Sequence, residues 1–151
     1  VDLAIKIADV NVRAEIANLQ SDTELKARQY DTDVRAATAK EVSKNQMQSS
    51  LSNTLENINQ DMGTNNYNIR RIYEGALTNL NNQHAVALKK YGPNSPETKA
   101  IMDQIKYYTD ESLNSDGNPK GIIPMGLKVL NESLIEQQKN INSLLSGITV
   151  Q

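Results

Sequence analysis

The sequence of 151 residues contains no cysteine, no phenylalanine and no tryptophan. The absence of cysteine excludes disulfide frameworks, thiolate zinc sites and cysteine nucleophiles. Six tyrosines are the only aromatic residues, although aromatic side chains usually supply the largest buried areas in a core. We therefore expect too little buried apolar surface for a robust monomer, and we predict that the chain associates with copies of itself.

An excess of charge of one sign is also lacking, since 16 basic and 18 acidic residues give a formal net charge of -2. Without a general basic face, sequence-specific binding to nucleic acid is not expected. No apolar run reaches the roughly 18 residues that a membrane-spanning helix needs. Because the chain begins at Val1 rather than at Met, we expect it to be part of a longer or processed protein.

Helix-forming residues dominate what is present. Residues 2–61 contain no glycine or proline and are rich in Ala, Leu, Lys, Glu and Gln, which favour a helix. Apolar residues recur in this segment at steps of three and four, the spacing of a coiled-coil seam. The predicted packing and oligomer seam, which continues into the next helix, consists of Met47, Leu51, Leu55, Ile58, Ile69 and Ile72.

Gly63 is the first glycine of the chain and predicts the end of this long helix. Thr64 to Asn66 can cap a second helix by accepting hydrogen bonds from its first N–H groups. Because so short a connection usually makes two helices antiparallel neighbours, residues 1–91 are predicted to form a hairpin with its tip at 62–66. The second helix then folds back on the Met47–Ile58 half of the first.

Residues 92–151 are predicted to form a further helical hairpin. Gly92-Pro93 ends the preceding helix, and Ser95-Pro96 is typical of a helix start, because proline at the first position loses no hydrogen bond. A loop over 114–126, with two prolines and three glycines, separates its two helices.

These patterns together predict an all-α protein. It consists of a long helix plus helical hairpins, which form an extended coiled-coil-like bundle that is completed by oligomerisation. The last helix is predicted from Leu127 to Gly147, where apolar residues keep a heptad-like spacing. No segment predicts a strand.

No residue pattern points to catalysis or to a cofactor. His84, the only histidine, has no carboxylate three or four residues away, and we interpret it as a surface or interface residue. Glu132 and Glu136 are spaced to share a hard cation, but the Glu-x-x-His motif of di-metal bundles is absent, so we interpret them as a solvated helix face. We predict that the protein is not an enzyme and has no catalytic residue, metal or cofactor.

Arg70 and Arg71 follow the predicted hairpin tip, where positive charge runs against the helix macrodipole. One interpretation is a contact with a partner that carries carboxylate or phosphate groups. The other is that both side chains lie over the hairpin towards Asp61 and Glu74, an arrangement worth only roughly tenths of a kcal/mol. The predicted tip and partner contact consists of Gly63, Thr64, Arg70 and Arg71.

Several stretches together resemble a known family. KEVSKNQMQ at 40–48 is followed by the glycine break, by IRRIYEG at 69–75 and by a helix with scattered Asn and Tyr that ends in LKKY at 88–91. This order resembles the smaller internal virion protein, also called the core or ejection protein, of short-tailed autographivirus phages of the T-seven type. Thr64-Asn65 departs from the family pattern, which has serines there. The matching residues are Glu41, Ser43, Asn45, Met47, Gln48, Gly63, Ile69, Arg71, Glu74 and Gly75.

The resemblance implies a structural protein of the virion interior. Several copies would form a ring in the internal core of the capsid, packed on the portal and on other internal core proteins. During infection they would move to the host cell envelope or periplasm and help to form a conduit for the DNA. Two other classes remain open: a helical secretion-tip or coiled-coil surface or adhesion component, and a small helical regulatory binding module.

Overall fold

The structure, a computed structural model, describes the backbone of residues 2–39 and 42–150 and the side chains of residues 12–39 and 42–148. Within these residues it contains five helices and no strand, which confirms the predicted all-α class. The helices are α1 (Asp2–Ala37), α2 (Lys44–Tyr91), α3 (Pro96–Thr109), α4 (Ile122–Leu130) and α5 (Glu132–Val150).

The predicted hairpin tip at 62–66 is wrong, because α2 runs through it without a break. Gly63 is an exposed position inside the helix. A glycine in a helix costs about 1 kcal/mol relative to alanine. Ile58 and Ile69, on either side of it, are fully buried, and each contributes about 2 kcal/mol through burial. Packing of the flanking turns therefore outweighs the local preference of Gly63.

α1 ends at Ala37 and α2 begins at Lys44, so the predicted helix over 2–61 is two helices. The Thr38 hydroxyl donates to the Val34 carbonyl at 3.0 Å, a side-chain bond that competes with helix continuation. Ser43 then caps α2, because its Oγ accepts from the Gln46 N–H at 3.3 Å. Glu41, a position of the family resemblance, lies outside the described residues.

The first of two compact units contains α1, the part of α2 before Tyr67, and α5. Hydrogen bonds join Asn65 of α2 to Thr23 of α1, and Tyr30 of α1 to Asp61 of α2. The later residue of α1 is paired with the earlier residue of α2, so the two helical segments are antiparallel.

α5 is the third helix of this unit. The Gln138 amide donates to Asn59 at 2.8 Å, and Asn65 donates to Asn131, which precedes α5, also at 2.8 Å. These pairs place α5 antiparallel to α2, and therefore parallel to α1. The buried core that the three helices share consists of Ala27, Val34, Ala37, Leu51, Ile58, Leu134 and Ile141.

The structure accounts for most of the predicted seam within the chain itself. Leu51 and Ile58 are fully buried in the core of the first unit, and Met47 and Leu55 pack against it. Their neighbours come from α1 and α5, and not, as predicted, from a helix that folds back after residue 66. Completion of the bundle by other copies stays a prediction.

The second unit comprises Tyr67–Val129 and therefore contains α3, the last part of α2, and α4 except for Leu130. The predicted start of α3 is confirmed, since Ser95 accepts from the Thr98 N–H at 3.2 Å and Pro96 is the first helical residue. Gly92 follows the end of α2 with φ +84, a left-handed conformation that favours glycine.

Apolar and aromatic contacts hold this unit together. Tyr73 of α2 meets Tyr108 of α3 with ring centroids 5.7 Å apart. Ile69 Cδ1 lies 3.3 Å from the point where Gly126 of α4 would carry a β-carbon, so the missing side chain admits α4 close to α2. Of the last two seam residues, Ile69 is fully buried and Ile72 is half-buried.

The loop predicted over 114–126 ends earlier than expected, because α4 begins at Ile122. Pro124 lies in the first turn of α4, where a missing N–H costs little. The helix predicted from Leu127 to Gly147 is likewise divided: Asn131 separates α4 from α5, and α5 passes through Gly147 to Val150. The Asn131 carbonyl accepts from Ile135 N at 2.8 Å and so opens α5.

Residues 112–120 form a closed loop between α3 and α4. Lys120 N donates to the Ser112 carbonyl at 2.9 Å, and Asn114 N donates to the Asn118 carbonyl at 2.8 Å. At the exposed tip, Gly117 has φ +79. Main-chain hydrogen bonds therefore join the two segments of backbone that lead to and from the tip of the loop.

Candidate binding cleft

The second unit carries an open cleft with a volume of about 410 Å³. A volume of this size lies within the range of ligand-binding pockets. The lining residues are Tyr67, Arg70, Arg71, Glu74, Leu77, Thr78, Asn81, Thr109, Glu111, Ile123 and Pro124.

One wall of the cleft is a single face of α2. Tyr67, Arg71, Glu74, Thr78 and Asn81 follow one another at steps of three and four, which bring side chains to the same side of a helix. Because α2 is unbroken here, the helical backbone fixes the order of these groups along the cleft. The arginines are therefore presented on a regular element rather than on a loop.

The opposite wall joins the end of α3 to the start of α4. Thr109 and Glu111 flank Asp110, whose Oδ1 accepts from the Ser112 hydroxyl at 2.6 Å and from the Ser112 N–H at 2.9 Å. The hydroxyl bond, followed by the backbone bond, lowers the pKa of Asp110 from its ordinary value. The ionised carboxylate thus stabilises the turn that carries Glu111.

Gly121 closes this wall. Its N–H donates to the Asp110 carbonyl at 2.7 Å. A β-carbon on Gly121 would lie 2.6 Å from the Asp110 nitrogen and 2.7 Å from its oxygen, so no other residue fits without a backbone shift. This close approach brings the apolar residues Ile123 and Pro124 to the cleft.

The charges of the lining residues balance. Arg70 and Arg71 are matched by Glu74 and Glu111, so the cleft offers no net positive field to a polyanion. The side chain of Arg71 is exposed and makes no hydrogen bond or ion pair with any residue that the structure describes. A guanidinium in this setting suits a single carboxylate, which it can bind through two parallel hydrogen bonds.

Only two of the four residues predicted to form the hairpin tip and partner contact lie at the cleft. Arg70 and Arg71 line the cleft, whereas Gly63 and Thr64 do not. The Thr64 hydroxyl donates to the Gln60 carbonyl at 3.1 Å, within α2. A role of the arginines in binding a partner stays a prediction, and the remaining residues are ordinary positions of a helix.

Asp61, an alternative neighbour of the arginines in the predicted hairpin, has other partners. The Tyr30 hydroxyl donates to it, and Lys26 lies 3.5 Å away. Burial, followed by the hydrogen bond to Asp61, raises the pKa of Tyr30 well above its ordinary value, and the charges of Asp61 and Asp33 add to the shift. This cluster ties α1 to α2.

A buried polar cluster, Thr23–Asn65–Asn131, was not predicted. The Asn65 amide donates to Thr23 Oγ1 at 3.1 Å and to Asn131 Oδ1 at 2.8 Å, and all three side chains are buried. The sequence does indicate that Asn65 lies on the buried face of its helix, since Asn65 follows Leu51 and Ile58 at heptad spacing. Buried asparagines at such positions fix the register of packed helices.

The residues considered for chemistry lie apart. His84 is half-buried on α2 and does not line the cleft, while Glu132 and Glu136 are exposed on α5. Among the residues that the structure describes, no group of three or more His, Asp or Glu side chains could hold a metal ion.

Comparisons with protein-family models, curated proteins and solved structures find no match for the chain. None of the described helices combines the length and the apolar character that a membrane span requires.

Proposed function

We propose that this chain is a non-enzymatic structural protein of a phage virion, of the type of the smaller internal core protein of short-tailed phages. Copies of the chain assemble into a ring in the internal core and contact the portal and other core proteins. On infection they leave the capsid and help to form a conduit for DNA across the host envelope.

The observation that carries this proposal is the composition of the core in the first unit. Its buried positions include Ala27 and Ala37, and the Thr23–Asn65–Asn131 cluster occupies interior space with polar groups. Alanines contribute little burial, and polar groups contribute less than apolar groups of the same size. A core of this kind favours low stability, which suits a chain that must unfold to pass a narrow channel and then reassemble.

The positions of the family resemblance add support. Met47, Gln48, Ile69, Arg71 and Glu74 all lie on α2, which contributes to both units. Two of them, Arg71 and Glu74, line the cleft. The resemblance therefore covers both packing residues and residues that are available to a partner.

Mass spectrometry of purified phage particles tests the assignment directly. We expect peptides of this chain in intact particles and their loss from particles that have ejected their DNA. Thermal unfolding and sedimentation test its physical basis. A monodisperse monomer that melts cooperatively above about 70 °C would contradict both self-association and easy unfolding.

The cleft favours a second candidate, a small helical binding module. A pocket of about 410 Å³ with Arg71 unpaired among the described residues resembles a recognition site more than a packing surface. Absence of the chain from purified particles, together with stoichiometric binding of another protein, would select this candidate over the first.

A further inference from the structure

The surface of α1 in the first unit carries a leucine between charges of opposite sign. Leu25 is 59% exposed, and Asp22 and Arg28, each three residues away, are exposed as well. Residues three apart are neighbours on one side of a helix. Among the described residues neither charge is part of an ion pair. We call Asp22, Leu25 and Arg28 the α1 stripe.

The α1 stripe and the cleft are complementary in chemistry. The cleft offers Arg71 to an acid, the half-buried Leu77 and Pro124 to an aliphatic side chain, and Glu74 and Glu111 to a base. The stripe carries one acid, one aliphatic side chain and one base. Opposite charges that meet at a partly enclosed site give orientation and partner choice more than raw affinity.

Other exposed aliphatic side chains in the described part of the chain fit the cleft less well. Val86 is 64% exposed and Leu88 43%, but neither has an acidic residue three or four positions away that could meet Arg71. Leu113 lies two residues from Glu111, a residue of the cleft itself.

Val129, 42% exposed, has no basic residue three or four positions away, and Leu144, 38% exposed, has no charged residue at either spacing. Charge complementarity therefore singles out Leu25.

We propose that the α1 stripe of one copy docks into the cleft of a second copy. The contact joins two different surfaces, so each copy presents both a stripe and a cleft to its neighbours. A contact of this kind closes into a ring when the rotation per copy allows and otherwise continues as an open fibre. The proposal rests on the self-association that is part of the proposed function and identifies the surfaces that produce it.

A charge exchange tests the contact in the full chain. Asp22→Arg alone and Arg71→Asp alone each bring like charges together, and we expect each to weaken association about tenfold in sedimentation velocity across a concentration series. The double variant Asp22→Arg/Arg71→Asp restores opposite charges, and we expect it to recover most of the lost association. Recovery is the decisive result, because damage to two unrelated surfaces adds and does not cancel.

Matched controls separate docking from general charge effects. Glu56→Arg and Lys89→Asp make the same charge changes at exposed positions outside the stripe and the cleft, and we expect both to assemble like the unaltered chain. Circular dichroism before each run verifies that every variant keeps its helix content.

The outcomes distinguish the docking surfaces from the proposed function. If the unaltered chain assembles and either the single variants assemble equally well or the double variant does not recover, the docking surfaces are wrong while the proposed function stands. If the unaltered chain stays monomeric at about 100 μM, self-association and docking both fail.

Discussion

Two glycines of this chain lie in opposite surroundings. At Gly121 an added β-carbon would meet the Asp110 backbone at 2.6 and 2.7 Å, whereas at Gly75, an exposed position in α2, nothing lies within 4 Å. At Gly121 neither neighbour is a flexible side chain that could move aside. The same substitution should therefore have opposite effects at the two positions.

We predict that Gly121→Ala lowers the free energy of unfolding by about 2 kcal/mol, because the turn at the end of α3 must shift to avoid the overlap. Gly75→Ala should raise it by up to about 1 kcal/mol, since alanine is the better helix former. Urea unfolding followed by circular dichroism measures both. Equal effects of the two substitutions would show that the wall of the cleft tolerates a side chain at Gly121.

Tyr30 should make the stability of the first unit depend on pH in the alkaline range. The raised pKa means that the folded chain holds the phenol proton more tightly than the unfolded chain does. The resulting stabilisation is complete below the ordinary tyrosine pKa of about 10 and is lost as the pH rises towards the folded value.

We therefore predict that the unaltered chain loses stability between roughly pH 9 and pH 11 more steeply than Tyr30→Phe does. The phenylalanine variant keeps the ring, lacks the titrating hydroxyl and should be less stable near neutral pH by about 1 kcal/mol. Urea midpoints at both pH values test this, because the two chains differ only in the hydroxyl of residue 30. A constant difference between the two chains would contradict the prediction.

At the scale of the elements, composition predicted helices correctly, and Gly92-Pro93 and Ser95-Pro96 marked a true boundary, whereas Gly63 did not. Gly63 suggested an end where the buried neighbours Ile58 and Ile69 hold the helix together. Ser43 and Gln46, at capping-box spacing, marked the true start of α2 without any glycine or proline. A boundary depends on where tertiary packing continues, which the pattern of a single segment does not contain.

Of the residues that line the cleft, only the two arginines of α2 were predicted from the sequence to contact a partner. Arg70 and Arg71 stood out because their charge opposes the local preference expected there, and both line the cleft. Glu111 and Ile123 come from segments about 40 to 50 residues later in the chain, and no periodicity relates them to α2. Their approach depends on Gly121, whose tight contact only the folded chain reveals.

Asn65 of α2 donates hydrogen bonds to Thr23 of α1 and to Asn131, the residue before α5. We predict that Asn65→Ala destabilises the first unit by about 2 kcal/mol, since Asn131 Oδ1 loses its donor in a buried place. Asn53→Ala, at an exposed position of the same helix, is the matched control and should change stability by less than about 0.5 kcal/mol.

A double-mutant cycle shows whether the two asparagines act together. After Asn131→Ala, the further change Asn65→Ala should cost clearly less than it does in the unaltered chain, because the hydrogen bond is already lost. Additive costs would mean that the cluster does not act as a unit and that register depends on apolar contacts alone.

At the scale of the whole molecule, the large side chains at the centre of the packing are aliphatic. The fully buried large side chains of the described residues are all leucine or isoleucine: Leu51, Ile58, Ile69, Leu134 and Ile141. Removing one of a few such side chains takes away a large share of the burial that opposes chain entropy.

We predict that Ile58→Ala costs about 3 kcal/mol, which leaves little of the roughly 5 kcal/mol expected for a weakly packed domain. The half-buried Leu55 serves as the comparison, and Leu55→Ala should cost less than half as much. Thermal unfolding by circular dichroism measures both. If Ile58→Ala melted within about 3 °C of the unaltered chain, the core would be far stronger than its composition implies.

The closed loop over 112–120 offers a place to label the chain. Hydrogen bonds below its tip tie both legs, from Lys120 to Ser112 and from Asn114 to Asn118, so extra residues between Ser115 and Asp116 lengthen only the exposed end. Insertions at exposed loop tips cost little, because loop-closure entropy grows slowly with length. A tag or fluorophore inserted there lies only a few residues from Glu111. It would report occupation of the cleft while both chain ends remain unaltered.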